Sequence, residues 1–282
     1  MTNQLVNLIN NLILEKGIPK YRKNWKPLTE SELNKENFIK VILLKLKEYH
    51  KHCNIITPSI QTKFIDNSFR KAPEFFWDKN LKIGRIVYYH FYSSNNKGVN
   101  NLDELSMIEL VDKELKKWIK KNIKGLIIDL RYHIGGNFYP FIKSLNNILG
   151  DTTIFAIKKE KAGKNEKIWI NNINNNLEIN QYETFKLKFT KPIAIIIGNN
   201  TKSSGEFSAA IFKGRENVKF FGEKTSGYLS MNSNITINEK IIITFPTNLI
   251  TTVDNEFMSS EYLEPDLITS KPITDAKIWI KN

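Results

Sequence analysis

The stretch PIAIIIGNNTKSSGEFSAA, residues 192–210, decides how this chain is read. A run of Ile and Ala ends at Gly198, a polar loop follows, and helix-forming residues begin near Ser203. This is a strand–loop–helix unit, with a serine hydroxyl at the junction beside unpaired backbone N–H groups at the positive end of the helix. Such a junction can expose a nucleophile and stabilise an oxyanion. Acyl transfer is therefore the first chemical hypothesis. The same Ser, Thr and Glu residues also suit an ordinary N-cap with a helix-favouring carboxylate.

The unit recurs on either side. RIVYYHFY at 85–92 is strand-like, and residues 103–121 are helical, with Met107, Leu110, Val111, Leu115, Trp118 and Ile119 on one face. GLIIDL at 125–130 is a continuous apolar strand of the kind covered on both faces. A helix is expected at about 137–149, after Gly135 and Gly136, then a helix at 204–213 and a strand in VKFFG at 218–222. This alternation predicts an α/β core with a largely parallel sheet. IIITF and NLITTV suit two added strands, and the Asn-rich segment 171–180 a surface excursion. Before the core, helical spacing predicts a helix over 3–16, and the Thr29/Glu32 pair a capping box opening a second helix through His50. The expected division is a helical region at 1–80 and a core at 81–282.

The chain has 282 residues, 41% hydrophobic and 25% charged, which suits a globular protein with a sizeable core. Its single cysteine, Cys53, excludes an internal disulfide and any multi-cysteine metal site, and four histidines give only thin support for a histidine-rich one. The net charge of +13 is mostly lysine scattered among Asn and Ile, unlike the clustered Arg and aromatics of a nucleic-acid surface. No specific nucleic-acid partner is expected. The N-terminal segment lacks a basic leader region and no run approaches a membrane span, so a cytoplasmic location is the expectation.

Three loops follow core strands: DLRYHIGG at 129–136, TKSSGE at 201–206 and GEKTSG at 222–227. Beyond the carboxyl ends of strands in an open α/β sheet, such loops meet at one crevice. Gly135 and Gly136 leave backbone N–H groups open for an oxyanion, and equally suit a tight turn.

These motifs, with EYLEPDLI at 261–268, resemble in order the signatures of the S41 peptidase family, which includes the tail-specific proteases, the tricorn core protease and the chlamydial protease-like factor. The resemblance implies a crotonase-like α/β core, a small helical N-terminal region and a serine endopeptidase acting on short or unfolded polypeptides, with no cofactor and no metal. In the family pattern of a serine, two small residues and an acidic one, Ser203-Ser204-Gly205-Glu206 selects Ser203 as nucleophile. It implies an oxyanion hole from Ser204 N–H and a glycine N–H at Gly135 or Gly136. Where tail-specific members carry a lysine base this chain has Tyr228, with Lys224 nearby. The resemblance therefore favours the histidine branch. HKHCNIITP at 50–58 matches the histidine segment, with His50 in place of the usual acidic residue and Cys53 in place of serine. His52 is the implied general base.

Glu261, upstream of Pro265-Asp266, is the implied acid, with Glu256 and Glu264 as alternatives and Ser259 where the family glutamate commonly stands. His133 replaces an asparagine beside the glycines and is expected, with Arg131 and Thr225, to line the crevice; it and Lys224 are the alternative bases. His90 reads as a sheet residue, and Cys53 as a poor nucleophile, since no glycine turn frames it. The sequence between the helical region and residue 85 is too short for a PDZ domain. A catalytically inactive S41-like protein that binds peptides or other ligands is the alternative function.

Overall fold

In a computed structural model, the structure describes residues 2–33, 37–57, 71–91, 102–149, 156–161, 164–169, 189–238, 241–250 and 260–282. The Asn-rich segment 171–180, Pro58, Glu256 and Ser259 lie outside the described residues. The chain forms two compact units that interleave in sequence: Met1–Phe64, Ile157–Ile168 and Ser230–Ile250 make one, and Ile65–Ala156, Trp169–Leu229 and Thr251–Asn282 the other. A single cut near residue 80 was expected. Helical periodicity marks where the first helices end but says nothing about which later strands return to them.

In the second unit, β2 (Glu74–Asp78), β3 (Ile83–Phe91), β4 (Gly125–Gly136), β7 (Ile193–Ile197), β8 (Val218–Gly222) and β11 (Leu267–Ile268) form a six-stranded sheet in the order β11-β8-β7-β4-β3-β2. All neighbours are parallel except β2 with β3. All five residues of β7 are buried, as a strand covered on both faces requires. Ile127, Ala194, Ile196 and Phe221 pack on one face against Ala276 and Ile280 of the C-terminal helix Pro272–Lys281. The helix Ser204–Ala210 lies against β4.

The first unit holds β1 (Asn54–Ile56), β9 (Met231–Asn238) and β10 (Ile241–Ile250), with β10 pairing antiparallel to both β1 and β9. β5 (Ala156–Lys161) pairs with the far end of β10 and β6 (Lys164–Trp169) follows it in the sheet. Ile9 and Ile13 of α1 (Thr2–Lys16) and Ile42, Leu46 and Tyr49 of α4 (Phe38–Tyr49) cover Ile241, Ile243 and Phe245. The buried Tyr49 hydroxyl accepts from Ile18 N–H and donates to the Pro246 carbonyl, fixing both chains.

Several expected elements differ. IIITF and NLI form one strand, because Pro246 sits beside a register shift, where a missing N–H does not break the ladder. Glu32 does accept from Thr29 N–H, but it opens only the short helix Glu30–Leu33; α4 starts afresh after Asn37. The helix expected at 137–149 is interrupted at Leu145 between Tyr139–Ser144 and Asn146–Leu149. Most consequentially, β4 does not end at Leu130. It runs through Gly136, paired to β3 at Tyr89–Tyr132 and Phe91–Gly136.

Candidate active site

The serine turn is tied to the sheet before Ser203 is reached. Gly198 N–H donates to Thr201 Oγ1 at 3.0 Å, and the Thr201 hydroxyl donates to the Leu130 carbonyl of β4 at 3.0 Å. Ser203 then adopts φ 51°, ψ −118°. A non-glycine residue held there costs about 1–3 kcal/mol and persists only where its surroundings impose it. The following helix spans only Ser204–Ala210, shorter than the expected 204–213. Ser204 is buried at 2% exposure, whereas Ser203 is partly exposed, so the structure presents the first serine of the pair.

The two glycines part company. A Cβ added to Gly135 would stand 3.4 Å from Ser203 Cβ and 3.9 Å from its Oγ, so the Gly135 backbone lies directly against the serine side chain. Gly136 is needed elsewhere: a side chain there would overlap the Phe91 carbonyl. Both have positive φ, 129° and 108°, open to glycine.

Glu206 anchors the turn. It is fully buried, and its carboxylate accepts from Ser203 N–H at 3.0 Å, Thr225 Oγ1 at 2.5 Å, Gly227 N–H at 2.8 Å and Tyr228 N–H at 2.7 Å. Burial pushes its carboxyl above the usual carboxylate range, against donors that favour the ionised form. The capping-box reading thus holds for the Ser203 N–H, but the same carboxylate also fixes the 225–228 loop. Thr225, expected in the crevice, is a buried brace: its hydroxyl donates to Glu206 and accepts from Leu263 N–H at 2.9 Å.

Two more expected lining residues take other roles. The Arg131 guanidinium forms a bidentate pair with the fully buried Asp129 at 2.9 and 2.7 Å. His133 is 1% exposed, packs against Phe141 and turns its carbonyl to Lys202 N–H. Burial, helped by neighbouring His90, lowers its imidazole to about 3. A surface base it is not. The cause is β4 itself: in a strand alternate side chains face opposite ways, so Tyr132 and Ile134 point out and His133 points in. Of the remaining bases considered, Lys224 lies 5.0 Å from the centre of the Tyr262 ring, and Tyr228, at the lysine position, carries Lys202 over its ring at 4.1 Å.

The histidine segment lies in the first unit and is held by neutral groups. His52 N–H donates to His50 Nδ1 at 3.1 Å, and the His50 ring in turn lies 4.3 Å from that of Tyr21. Asn232 Nδ2 donates to the His52 carbonyl at 2.8 Å, and His52 Nδ1 meets Ser230 Oγ at 3.2 Å. Neither Ser230 nor Asn232 carries a motif of its own; only the β9–β10 return brings them here. Cys53 is fully buried with its thiol pushed up to about 12, which leaves no thiolate for nucleophilic work at neutral pH. Glu261 is partly buried, and its carbonyl accepts from Leu229 N–H at 3.0 Å.

A serine in a strained strand-to-helix turn beside a parallel sheet, with glycine backbone against its side chain, is the architecture of α/β proteins that present a serine nucleophile. Sequence comparison makes this specific. The chain belongs to peptidase family S41, whose sequence model matches residues 82–269. It is similar to the nisin-resistance protein of Lactococcus lactis subsp. lactis, 31% identical over 164 residues, covering 58% of this chain and 52% of that one. It is also similar to the carboxy-terminal processing protease CtpA of Bacillus subtilis (strain 168), 27% identical over 202 residues, covering 69% of this chain and 40% of that one. The chain thus spans about half or less of the length of these curated relatives.

Among solved structures, a lipoprotein from Streptococcus agalactiae shares the fold with TM-score 0.77 at 24% identity, covering 99% of this chain and 96% of that one. The photosystem II D1 C-terminal processing protease matches with TM-score 0.50 at 12% identity, over 71% of this chain and 47% of that one. No helix among the described residues is long and apolar enough to cross a membrane.

Proposed function

We propose that this chain is a serine peptidase in which Ser203 attacks the scissile carbonyl and His52 takes its proton. Ser204 N–H and the Gly135 backbone are assigned to the oxyanion and Glu261 to the imidazolium that forms. The observation that carries the reading is the Ser203 turn: φ 51° at a partly exposed serine, with Gly135 against its side chain. Strain of this kind clusters at functional sites, and here it falls on the residue that the reading needs as nucleophile. The core is proposed as crotonase-type on its parallel strand order and serine turn.

The substrate class follows from family and relative. Short or unfolded peptides fit an S41 core, and the name of the Lactococcus relative makes nisin the first peptide to try. The test is fluorophosphonate labelling with peptide mapping, beside a peptide-cleavage assay. The adduct is expected on Ser203, and both labelling and cleavage should fall by about 10³-fold or more in Ser203→Ala and in His52→Ala. A folded protein that labels elsewhere, or a Ser203→Ala variant that cleaves normally, would overturn the reading.

A further inference from the structure

His52 is held from three sides by residues that the expected Ser-His-Glu set does not contain. His50 Nδ1 takes its N–H, Asn232 donates to its carbonyl, and Ser230 Oγ stands 3.2 Å from ring atom Nδ1. Ser230 immediately precedes β9 and Asn232 is its second residue; β9 pairs with β10, which pairs with β1, starting two residues after His52. The imidazole and its backbone are therefore fixed by one segment lying 178 residues further along the chain. Ser230 is 1% exposed, so its hydroxyl is not a surface group that happens to touch the ring. Nδ1 and Oγ meet where a triad's third group ordinarily acts, which leaves Glu261 to act on the imidazolium through its charge rather than through a bond to the ring.

We propose that Ser230 is the positioning residue for His52, accepting a hydrogen bond from Nδ1–H and so presenting Nε2 as the base. The inference rests on the reading of His52 as general base given above. Proton accounting gives the direction of the bond. A neutral imidazole carries one N–H. If the Ser230 hydroxyl donated to Nδ1, the ring proton would sit on Nε2 and the ring could not accept the Ser203 proton there. With Nδ1–H donating to Oγ, the Nε2 lone pair is open; after proton transfer both ring nitrogens carry hydrogen and Oγ still accepts from Nδ1. The ring need not rotate between steps. Because the partner is a neutral hydroxyl, it fixes the tautomer without adding a charge.

The experiment uses the full chain in four forms: wild type, Ser230→Ala, Ser230→Thr and His52→Ala. Two quantities are read: the rate of fluorophosphonate labelling at Ser203, and the ¹⁵N chemical shifts of the histidine rings. With four histidines in the chain, His52 is assigned by its loss in His52→Ala. In wild type, His52 should show the Nδ1–H tautomer. Ser230→Ala should shift it toward Nε2–H and slow labelling by about 10–100-fold, part of what a general base contributes, with KM for a cleaved peptide little changed. Ser230→Thr, which keeps the hydroxyl, should restore most of both.

Wild-type labelling and unchanged ring shifts in Ser230→Ala, with His52→Ala still inactive, would overturn the role of Ser230 and leave the serine–histidine reading standing. If labelling of Ser203 persisted in His52→Ala, that reading would fail, and the role of Ser230 with it.

Discussion

The turn that carries Ser203 and the segment that carries His52 are stabilised by different means. The serine turn is anchored by a charge: one buried carboxylate, Glu206, gathers three backbone N–H groups and a hydroxyl. The histidine segment is anchored by neutral groups, an imidazole, an amide and a hydroxyl. The difference follows from what each must withstand. A residue at φ 51° relaxes unless it is over-determined, and hydrogen bonds to a carboxylate are roughly twice as strong as neutral ones. His52 is not among the residues with positive φ; it needs a direction, and neutral partners supply that without a charge.

Exchanging the anchor's charge is the strongest way to break this comparison. Glu206→Gln keeps the shape but turns two donor hydrogens toward buried N–H groups, leaving at least one of them unsatisfied. The expected loss is about 2–4 kcal/mol of unfolding free energy, read by urea denaturation. Ser230→Ala, by contrast, should cost about 1 kcal/mol. Equal losses in the two variants would erase the distinction between a charged and a neutral anchor.

His133 sharpens the comparison with the half-buried His52, because it is a histidine the fold keeps neutral. Its folded value of about 3 lies below the unfolded value near 6.5. Its contribution is fully present above pH 6.5 and is lost as pH falls toward 3, because the unfolded chain binds a proton that the folded one refuses. Stability should fall by about 1.4 kcal/mol per pH unit over that window. His133→Asn should flatten the slope of unfolding free energy between pH 6 and 4 by close to one proton. An unchanged slope would mean that His133 gains a proton without unfolding.

The smallest effect concerns the strain itself. Ser203→Gly removes the proposed nucleophile and relieves the positive φ, though glycine also returns conformational entropy to the unfolded chain. The net expectation is a gain of about 1 kcal/mol over Ser203→Ala, seen as a higher Tm by roughly 2–4 °C. No difference in Tm between the two variants would mean that the turn carries no strain.

Much of this was readable from residues alone, for reasons the structure makes plain. β7 and residues 125–128 of β4 are apolar throughout because they are covered on both faces, and that pattern needs no partner to be seen. Ser203 and Glu206 lie three residues apart, so the bond between the carboxylate and the serine N–H is local and legible. Residues 131–136 were harder. Two glycines and a charged pair look like a loop, yet β3 supplies a pairing edge, and the pairing turns His133 inward and Tyr132 outward. Period-two alternation from Arg131 to Gly136 was the available signal. IIITF and NLITTV erred in the opposite sense, since residues 241–250 form one strand through Pro246.

The sequence by itself determined the family, the α/β core and the serine at the strand-to-helix junction, because each rests on contiguous residues or short spacings. Only the tertiary structure decided which glycine meets the serine, that Glu206 also holds the loop at 225–228, that His133 is interior, and that Ser230 and Asn232 grip His52. Those contacts join residues brought together by sheet pairing. Pairing partners are chosen by the burial of whole faces rather than by local spacing, so a hydroxyl such as Ser230 gains its role only when β9 and β10 return to β1.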